Sequence, residues 1–200
     1  MEWWIYVIII VAVVALAIAT LVIRTAVLNK KGVYLAGQVT SKLKSYSSLR
    51  RYKVLTEVRL PYRGGVKEIS HILIGIFGVI VVDTHHLNGE LYGTADDKKW
   101  THVFKNGKKE QLPNLSLDLQ EKVDAIRQAF AAQGIYKVSI DSINVVQNSE
   151  KKLKLYVASS LPVIRLSRLG AFLGKSKYDT DADVDMDKLS KILTSSSQEK

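Results

Sequence analysis

The sequence predicts an α/β protein in which one N-terminal transmembrane helix precedes a single domain built on a mixed sheet. Three observations lead to this fold class. Residues 3–23 contain no charged side chain, although the 200-residue chain has a formal net charge of +10. Beyond them, segments with helical spacing of apolar residues alternate with strand-like segments. The early strand-like segments are joined by turns too short for a crossover helix, so neighbouring strands must pair antiparallel.

The uncharged N-terminal run has the length and the flanks of a membrane span. As a helix it would extend about 31 Å, which matches a hydrocarbon core of about 30 Å. Aromatic side chains favour the headgroup layer, and three of them lie at the start of the run: Trp3, Trp4 and Tyr6. We therefore expect residues 3–23 to cross a membrane once.

Three basic residues follow this run: Arg24, Lys30 and Lys31. By the positive-inside rule they keep the following chain in the cytoplasm, where they would contact anionic lipid headgroups. This pattern predicts a single-pass protein of the inner or plasma membrane with a cytoplasmic C-terminal domain. A cleaved signal peptide is the alternative, and it is disfavoured because Met1-Glu2 supplies no basic residue.

The predicted organisation has four parts. They are a transmembrane anchor (residues 1–24), a basic connector (25–34), one domain (35–195) and a disordered polar tail (196–200). The chain contains no cysteine, which excludes disulfides, cysteine nucleophiles and zinc fingers. Nothing in the composition marks a second domain.

A helix and three strands are predicted first. Leu35, Val39 and Leu43 recur at helical spacing, which indicates an amphipathic helix over residues 34–47. The next segment is strand-like, and a turn with two glycines returns the chain as a hairpin. The third strand is continuously apolar, as a central strand would be. These strands are predicted over residues 53–60, 66–74 and 78–83.

The second half of the domain begins with a glycine-containing hairpin region over residues 88–111. A clear helix follows over residues 117–133, with Leu119, Val123 and Ile126 on one face. Gly134 lies where a left-handed cap is expected. Two further strands and a short helix complete the domain, predicted over residues 136–146, 153–158 and 184–193.

Polar side chains on the second and third predicted strands are candidates for a catalytic site. Glu68 and Ser70 share one face of their strand because side chains alternate with a period of two, and Asp83 and His85 share a face of the next. A metal-dependent hydrolase needs oxygen ligands for a hard cation such as Mg²⁺, with a cation or base near the attacked phosphate. The alternative is that strand ends simply carry polar residues.

The order of several short motifs resembles the nuclease-related domain (NERD) family, which is placed within the PD-(D/E)XK nuclease-like superfamily. The resemblance runs from about Gly37 to Ser159 and implies a restriction-endonuclease-like fold with a metal-dependent nuclease site. It is carried by Gly37-Gln38, Ile69-Ser70-His71, Asp83-Thr84-His85, and Gly89 to Gly93 followed by Trp100.

The positions that carry the family's chemistry depart from its pattern. The resemblance puts the family's helix glutamate on Gln38, its aspartate on Ser70, its strand glutamate on Asp83 and its lysine on His85. One carboxylate is left, and Mg²⁺ relies on one or two carboxylates together with substrate phosphates, so this set holds the ion poorly. We therefore expect a degenerate, inactive nuclease site.

A rearranged active site is the alternative. Glu68 would restore a carboxylate pair with Asp83 for Mg²⁺ or Mn²⁺, and His85 would be the cation or base. A Zn²⁺ or Mn²⁺ site made of His71, His85 and His86 is disfavoured, because alternation turns consecutive strand residues to opposite faces. No cofactor is certain; Mg²⁺ or Mn²⁺ is expected if the protein is active.

Clusters of basic residues suggest partners. They would attract DNA or RNA through counterion release, or an anionic membrane surface. Three functions remain open: a membrane-anchored nuclease-like domain that binds nucleic acid or another phosphate-rich partner without cutting it, an active nuclease, and a membrane-tethered interaction module with an unknown protein partner. Among the clusters are Lys98-Lys99, Lys105, Lys108-Lys109 and Lys151-Lys152-Lys154.

Overall fold

The structure is a computed structural model that describes residues 10–11, 13–16, 18–20, 33–147 and 151–197. The described residues of the N-terminal run are helical. The rest of that run lies outside the described residues, as do the predicted connector up to residue 32, with Arg24, Lys30 and Lys31, and residues 198–200 of the predicted tail.

The predicted transmembrane helix over residues 3–23 is wrong. Among the residues just given, no helix combines the length and the apolar character that crossing a membrane requires. A span needs about 20 consecutive apolar residues, whereas the two longest helices that follow have 17 and 16 residues and pack one face on a sheet. The prediction of a single-pass protein in the inner or plasma membrane is overturned by the same finding.

From Val33 onward the chain alternates helices and strands, and each predicted element is present with its ends shifted by a few residues. Two short elements, the strand Val163–Arg165 and the helix Leu169–Leu173, escape a periodicity analysis because they have only 3 and 5 residues. The elements are α1 (Val33–Ser48), β1 (Lys53–Tyr62), β2 (Gly65–Gly75), β3 (Gly78–His85), β4 (Gly89–Gly93), β5 (Lys99–Val103), β6 (Lys109–Pro113), α2 (Leu115–Ala131), β7 (Ile140–Val146), β8 (Leu153–Val157), β9 (Val163–Arg165), α3 (Leu169–Leu173) and α4 (Met186–Ser196).

The first sheet has five strands in the order β1-β2-β3-β7-β9. Strands β1, β2 and β3 pair antiparallel, whereas β3, β7 and β9 pair parallel. The central strand β3 is buried on both faces, as its continuous apolar sequence predicts. Val79 and Val81 pack against α2 and α4, while Ile80 and Val82 pack against α1 and α3.

The prediction of a single mixed sheet is wrong, because β6, β5, β4 and β8 form a second sheet in that order. Strands β4, β5 and β8 are short and alternate, with one face turned to a core and the other to solvent, whereas the edge strand β6 is largely exposed. The buried face has a core of its own, in which Leu91, Trp100 and Leu153 pack with Leu115 of α2. Gly93 makes room for this core, since a Cβ there would collide with the Trp100 indole.

Asn114, the residue before α2, connects the two sheets. Its Oδ1 accepts hydrogen bonds from the backbone N–H groups of Ser116 and Leu117, which caps the helix. Its Nδ2 donates to backbone carbonyls of the β4–β5 loop, including that of Asp97 at 2.7 Å. The start of α2 is therefore tied to the second sheet, while the side chains of the helix reach the first.

Candidate functional site

A cleft of about 850 Å³ opens beside β2 and β3, bounded by α1, β1 and α2. Three of its lining residues carry carboxylates, and two carry a lysine or arginine side chain. The charge of the cleft therefore does not favour binding of a phosphate group. The charged and polar side chains lining it include Thr40, Glu57, Arg59, Glu68, Ser70, His71, Asp83 and Lys122.

Asp83 is the buried carboxylate of this cleft and is only 3% exposed. Its Oδ1 accepts a hydrogen bond from the Ser70 hydroxyl, and its Oδ2 accepts one from the ammonium group of Lys122. Burial alone would raise the pKa of Asp83. The charges of His85 and Lys122, with the hydrogen bonds from Lys122 and Ser70, outweigh burial and hold that pKa below its ordinary value. Asp83 is therefore ionised, and both of its oxygens are engaged.

Lys122 is a site residue that the sequence analysis missed. It is buried on α2, where it shares the inward-facing stripe with Leu115, Leu119 and Ile126. Burial would lower the pKa of Lys122, but Asp83 and Asp118 raise it above its ordinary value. A lysine in the register of a buried apolar stripe was the available signal, since lysine is almost never buried without a partner.

The ion pair between Asp83 and Lys122 is one end of a chain of alternating charges. Lys122 Nζ lies 2.9 Å from Asp118 Oδ2, and Lys67 Nζ lies 3.0 Å from Asp118 Oδ1. Lys67 also pairs with Glu121 Oε2 at 2.5 Å. Burial would raise the pKa of Asp118, but the two lysines lower it. The chain thus links β3, α2 and β2 through groups that satisfy one another.

His85 bridges Asp83 to the neighbouring strand. Its Nε2 lies 2.8 Å from Asn144 Oδ1 and 3.4 Å from Asp83 Oδ2. Asn144 donates its amide to the Leu115 carbonyl, so its Oδ1 accepts and His85 Nε2 carries the hydrogen. In this arrangement Nε2 has no free lone pair with which to act as a base at the cleft.

Two predicted site residues do not join Asp83. Glu68 is exposed, and its Oε1 pairs with Arg59 at 3.0 Å at the outer part of the cleft. Gln38 lies on α1, but the residues of α1 that line the cleft are its neighbours, among them Gly37 and Thr40. The helix therefore turns a different face towards Ser70 and Asp83 than the resemblance suggested.

The side chains of His71 and His86 lie in different surroundings from that of His85. His71 is buried, and its Nε2 lies 2.8 Å from Thr40 Oγ1. Burial lowers the pKa of His71 below its ordinary value, so it stays neutral in the folded protein at neutral pH. His86 Nε2 lies 3.3 Å from Asn88 Nδ2. In the part of the chain that is described, these side chains form no common metal site with His85.

Glu57 interrupts β1 at the cleft and was not predicted as a site residue. Its φ is +54°, in the left-handed region, which costs a non-glycine residue about 1–2 kcal/mol. The pairs Thr56–His71 and Val58–Ile69 flank it, so it faces Ser70 without a ladder partner. A strained residue of this kind is typical of functional sites. Its only sequence signal is a charge in the middle of a strand.

The residues around Asp83 do not fit a resident divalent cation. Within residues 33–147 and 151–197, no three histidine, aspartate or glutamate side chains converge to hold a metal ion. The Lys122 ammonium already lies at Oδ2 of Asp83, and it would repel a second cation. A metal ion at Oδ2 would have to compete with Lys122 for this oxygen.

Comparison with known proteins agrees with the resemblance drawn from the sequence. The family model of the nuclease-related domain (NERD) matches residues 30–147, more than half of the chain. An uncharacterized protein of Bacillus anthracis is 35% identical over 88 residues, which cover 42% of this chain and 39% of that protein. The match thus spans about two fifths of the relative's length. No solved structure matches the chain.

Proposed function

The chain belongs to the nuclease-related domain family, and on that premise we propose that it binds nucleic acid without cutting it. One observation carries the second half of this proposal. The carboxylate at the family's acidic strand position, Asp83, has its oxygens engaged by Ser70 and Lys122. The chain's own ammonium group takes the place that a metal ion would need.

The energetics of the ion pair support an inactive site. A cation bound at Asp83 Oδ2 would lie next to the Lys122 ammonium group, and the two positive charges repel each other. Lys122 is also held by Asp118 Oδ2 at 2.9 Å, which keeps the ammonium group beside Asp83. We therefore expect Mg²⁺ to bind no more tightly than the millimolar range, which corresponds to about 4 kcal/mol.

The charge of the chain supports the nucleic-acid half of the proposal. A formal net charge of +10 attracts polyanions with little sequence preference. Binding of this kind releases counterions, so the logarithm of the affinity falls linearly with the logarithm of the salt concentration. The cleft contributes little to it, because its carboxylates outnumber its cations.

The test is a joint cleavage and retardation assay of the full chain on labelled DNA and RNA with Mg²⁺ and Mn²⁺. We expect retardation at low salt and no cleavage above background, and the same result for Asp83→Asn. Cleavage by the wild type that disappears in Asp83→Ala would overturn the proposal of an inactive site. Absence of retardation at about 50 mM salt and micromolar protein would overturn nucleic-acid binding and leave a protein-interaction module.

A metal-dependent nuclease is the second candidate, and one observation favours it: Glu57, Glu68 and Asp83 line the same cleft. The same assay decides between the candidates. If the wild type cuts, loss of cleavage in Glu68→Ala would identify the rearranged carboxylate pair predicted from the sequence. Unchanged cleavage in Glu68→Ala with loss in Glu57→Ala would assign that role to the strained residue of β1 instead.

A further inference from the structure

The solvent-facing side of the second sheet carries a pair of stacked tyrosines. We call the outward side chains of β4, β5, β6 and β8 the tyrosine face. Tyr92 of β4 and Tyr156 of β8 are register partners in a parallel pair, so their side chains stand on the same side. Their ring centroids are 4.6 Å apart and the ring planes differ by 7°. Both residues are open to solvent, at 38% and 49% exposure.

The stack is open at one end. The sheet order is β6-β5-β4-β8, so β8 is an edge strand and, among the strands that the structure describes, none lies beyond Tyr156. One ring face of Tyr156 therefore lies against Tyr92, and the other is turned to the open edge of the sheet. A planar aromatic group from outside can continue the stack at this point, as bases do on exposed aromatic side chains.

The opposite side of the same strands makes the tyrosine face a rigid platform. Leu91, Trp100 and Leu153 are fully buried beneath it, and the Trp100 indole nitrogen donates to the Thr94 carbonyl at 2.9 Å. The tyrosines are thus held by strands whose inner face is packed. Little conformational entropy remains to be lost when a ligand stacks on them, which favours binding.

The charges of the tyrosine face suit a polyanion. The outward positions hold three lysines, Lys99, Lys109 and Lys154, against one acid, Glu90. Glu90 is itself engaged, since it accepts from the Tyr92 hydroxyl and lies 3.4 Å from Lys154 Nζ. Its hydrogen bond with Tyr92 raises the pKa of Tyr92 to about 12, so the phenol stays neutral near phosphate.

We propose that the tyrosine face binds single-stranded nucleic acid, with a base continuing the Tyr92–Tyr156 stack at the edge of β8 and the lysines contacting phosphates. This rests on the proposed function and adds the surface and the form of the nucleic acid. Bases in a duplex are already stacked within the helix and do not reach a side chain on an open sheet, whereas single strands can be splayed onto it. We therefore expect duplex nucleic acid to contact only the lysines of the tyrosine face.

The experiment measures fluorescence anisotropy of a labelled oligothymidine of about 15 nucleotides with the full chain. Stacking on one aromatic side chain changes affinity by roughly 5- to 150-fold, so Tyr156→Ala and Tyr92→Ala should weaken binding by that factor. Tyr156→Phe keeps the ring and should bind like the wild type. Tyr136→Ala removes a tyrosine that is 78% exposed and lies outside the second sheet, and it should have no effect.

The outcomes separate this inference from the proposed function. Binding by the wild type that is equal in Tyr156→Ala, Tyr92→Ala and Tyr136→Ala overturns the tyrosine face and leaves nucleic-acid binding standing. Equal affinity for single strand and for duplex of the same length also overturns it. Absence of any binding by the wild type overturns both proposals. Thermal unfolding of each variant shows whether it is folded. We expect every variant to fold, because the substituted tyrosines are exposed and do not belong to the buried core.

Discussion

The two sheets of this protein differ in the burial of their polar side chains. Beside the first sheet, Asp83 and Lys122 are buried, and they form ion pairs with each other and with the partly buried Asp118. On the second sheet, the tyrosines and lysines of the tyrosine face stand in solvent with few partners. Polar groups that pair with one another inside the protein stabilise the fold. Polar groups that face solvent are instead available to bind a ligand.

The difference bears on what membership of a nuclease-related family implies. The cleft contains Asp83, which the resemblance aligns with the family's strand carboxylate, and Asp83 pairs with Lys122 of α2. In our account the polar groups of this cleft stabilise the fold, and the second sheet provides the contact with nucleic acid. Substitutions in the two regions should therefore differ in what they change, stability in the first and binding in the second.

The largest effect is expected from Lys122→Met, which leaves Asp83 buried without its cation. The free energy of unfolding should fall by about 3–5 kcal/mol, measured by urea denaturation. The matched control is Lys154→Met on the tyrosine face, whose pair with Glu90 is largely exposed. It should cost less than about 1 kcal/mol. Similar losses in the two variants would remove the distinction between the regions.

Acid should weaken the network of paired carboxylates beside the first sheet. The pKa of Asp83 and that of Asp118 lie below their ordinary values, so the unfolded chain binds more protons as the pH falls. The stability that they provide is present above about pH 4 and is lost as the pH falls through their folded-state pKa values. Unfolding measured against pH should show this loss, and Asp83→Asn should make it shallower. An unchanged slope in Asp83→Asn would contradict the pairing.

A smaller effect of opposite sign is expected at Glu57. Glycine adopts positive φ without steric cost, so Glu57→Gly should stabilise the protein by about 1 kcal/mol in urea denaturation. The control Glu68→Gly lies at an ordinary strand position of β2 and should destabilise by roughly 0.5–1 kcal/mol. Destabilisation by Glu57→Gly would show that the Glu57 side chain makes a contribution larger than the backbone strain.

The smallest effect concerns the salt dependence of binding to single-stranded DNA. Changing Lys99 and Lys109 together to alanine should reduce the slope of log affinity against log salt by about 1.4, since each lysine that neutralises a phosphate on a single strand contributes about 0.7. The matched pair Lys42 and Lys44 is exposed on α1, a helix that packs on the first sheet, and changing it to alanine should leave the slope unchanged. Equal changes in both pairs would indicate that total charge, and not the tyrosine face, determines binding.

The elements that sequence periodicity predicted best are those with one buried face. Helices α1 and α2 and strands β1 and β2 were found because their apolar residues recur at the spacing of a helix or a strand, whereas β3, buried on both faces, was found from its continuous apolar sequence. The division into two sheets was missed, since pairing between distant strands such as β4 and β8 depends on tertiary packing that local patterns do not encode. The transmembrane prediction rested on the length and the flanks of one uncharged run, and the described residues contain no helix long and apolar enough to span a membrane.

Prediction of the site was partial for a similar reason. The approach of Ser70 to Asp83 follows from strand alternation and a hairpin, and the hydrogen bond between them agrees with it. Lys122 comes from a helix 39 positions further along the chain, and no strand motif could indicate that it reaches Asp83. Gln38 was assigned from the resemblance, but the rotation of α1 about its axis places other residues at the cleft.

The most direct test of the account is to map the nucleic-acid contact on the isotope-labelled full chain by NMR. A single-stranded oligonucleotide is added, and the backbone amide signals are followed. We expect the shifts to concentrate on β4, β5 and β8, around Tyr92 and Tyr156, and to leave Ser70 and Asp83 unchanged. Shifts concentrated on Ser70, Asp83 and the start of α1, with Tyr92 and Tyr156 unaffected, would contradict the account.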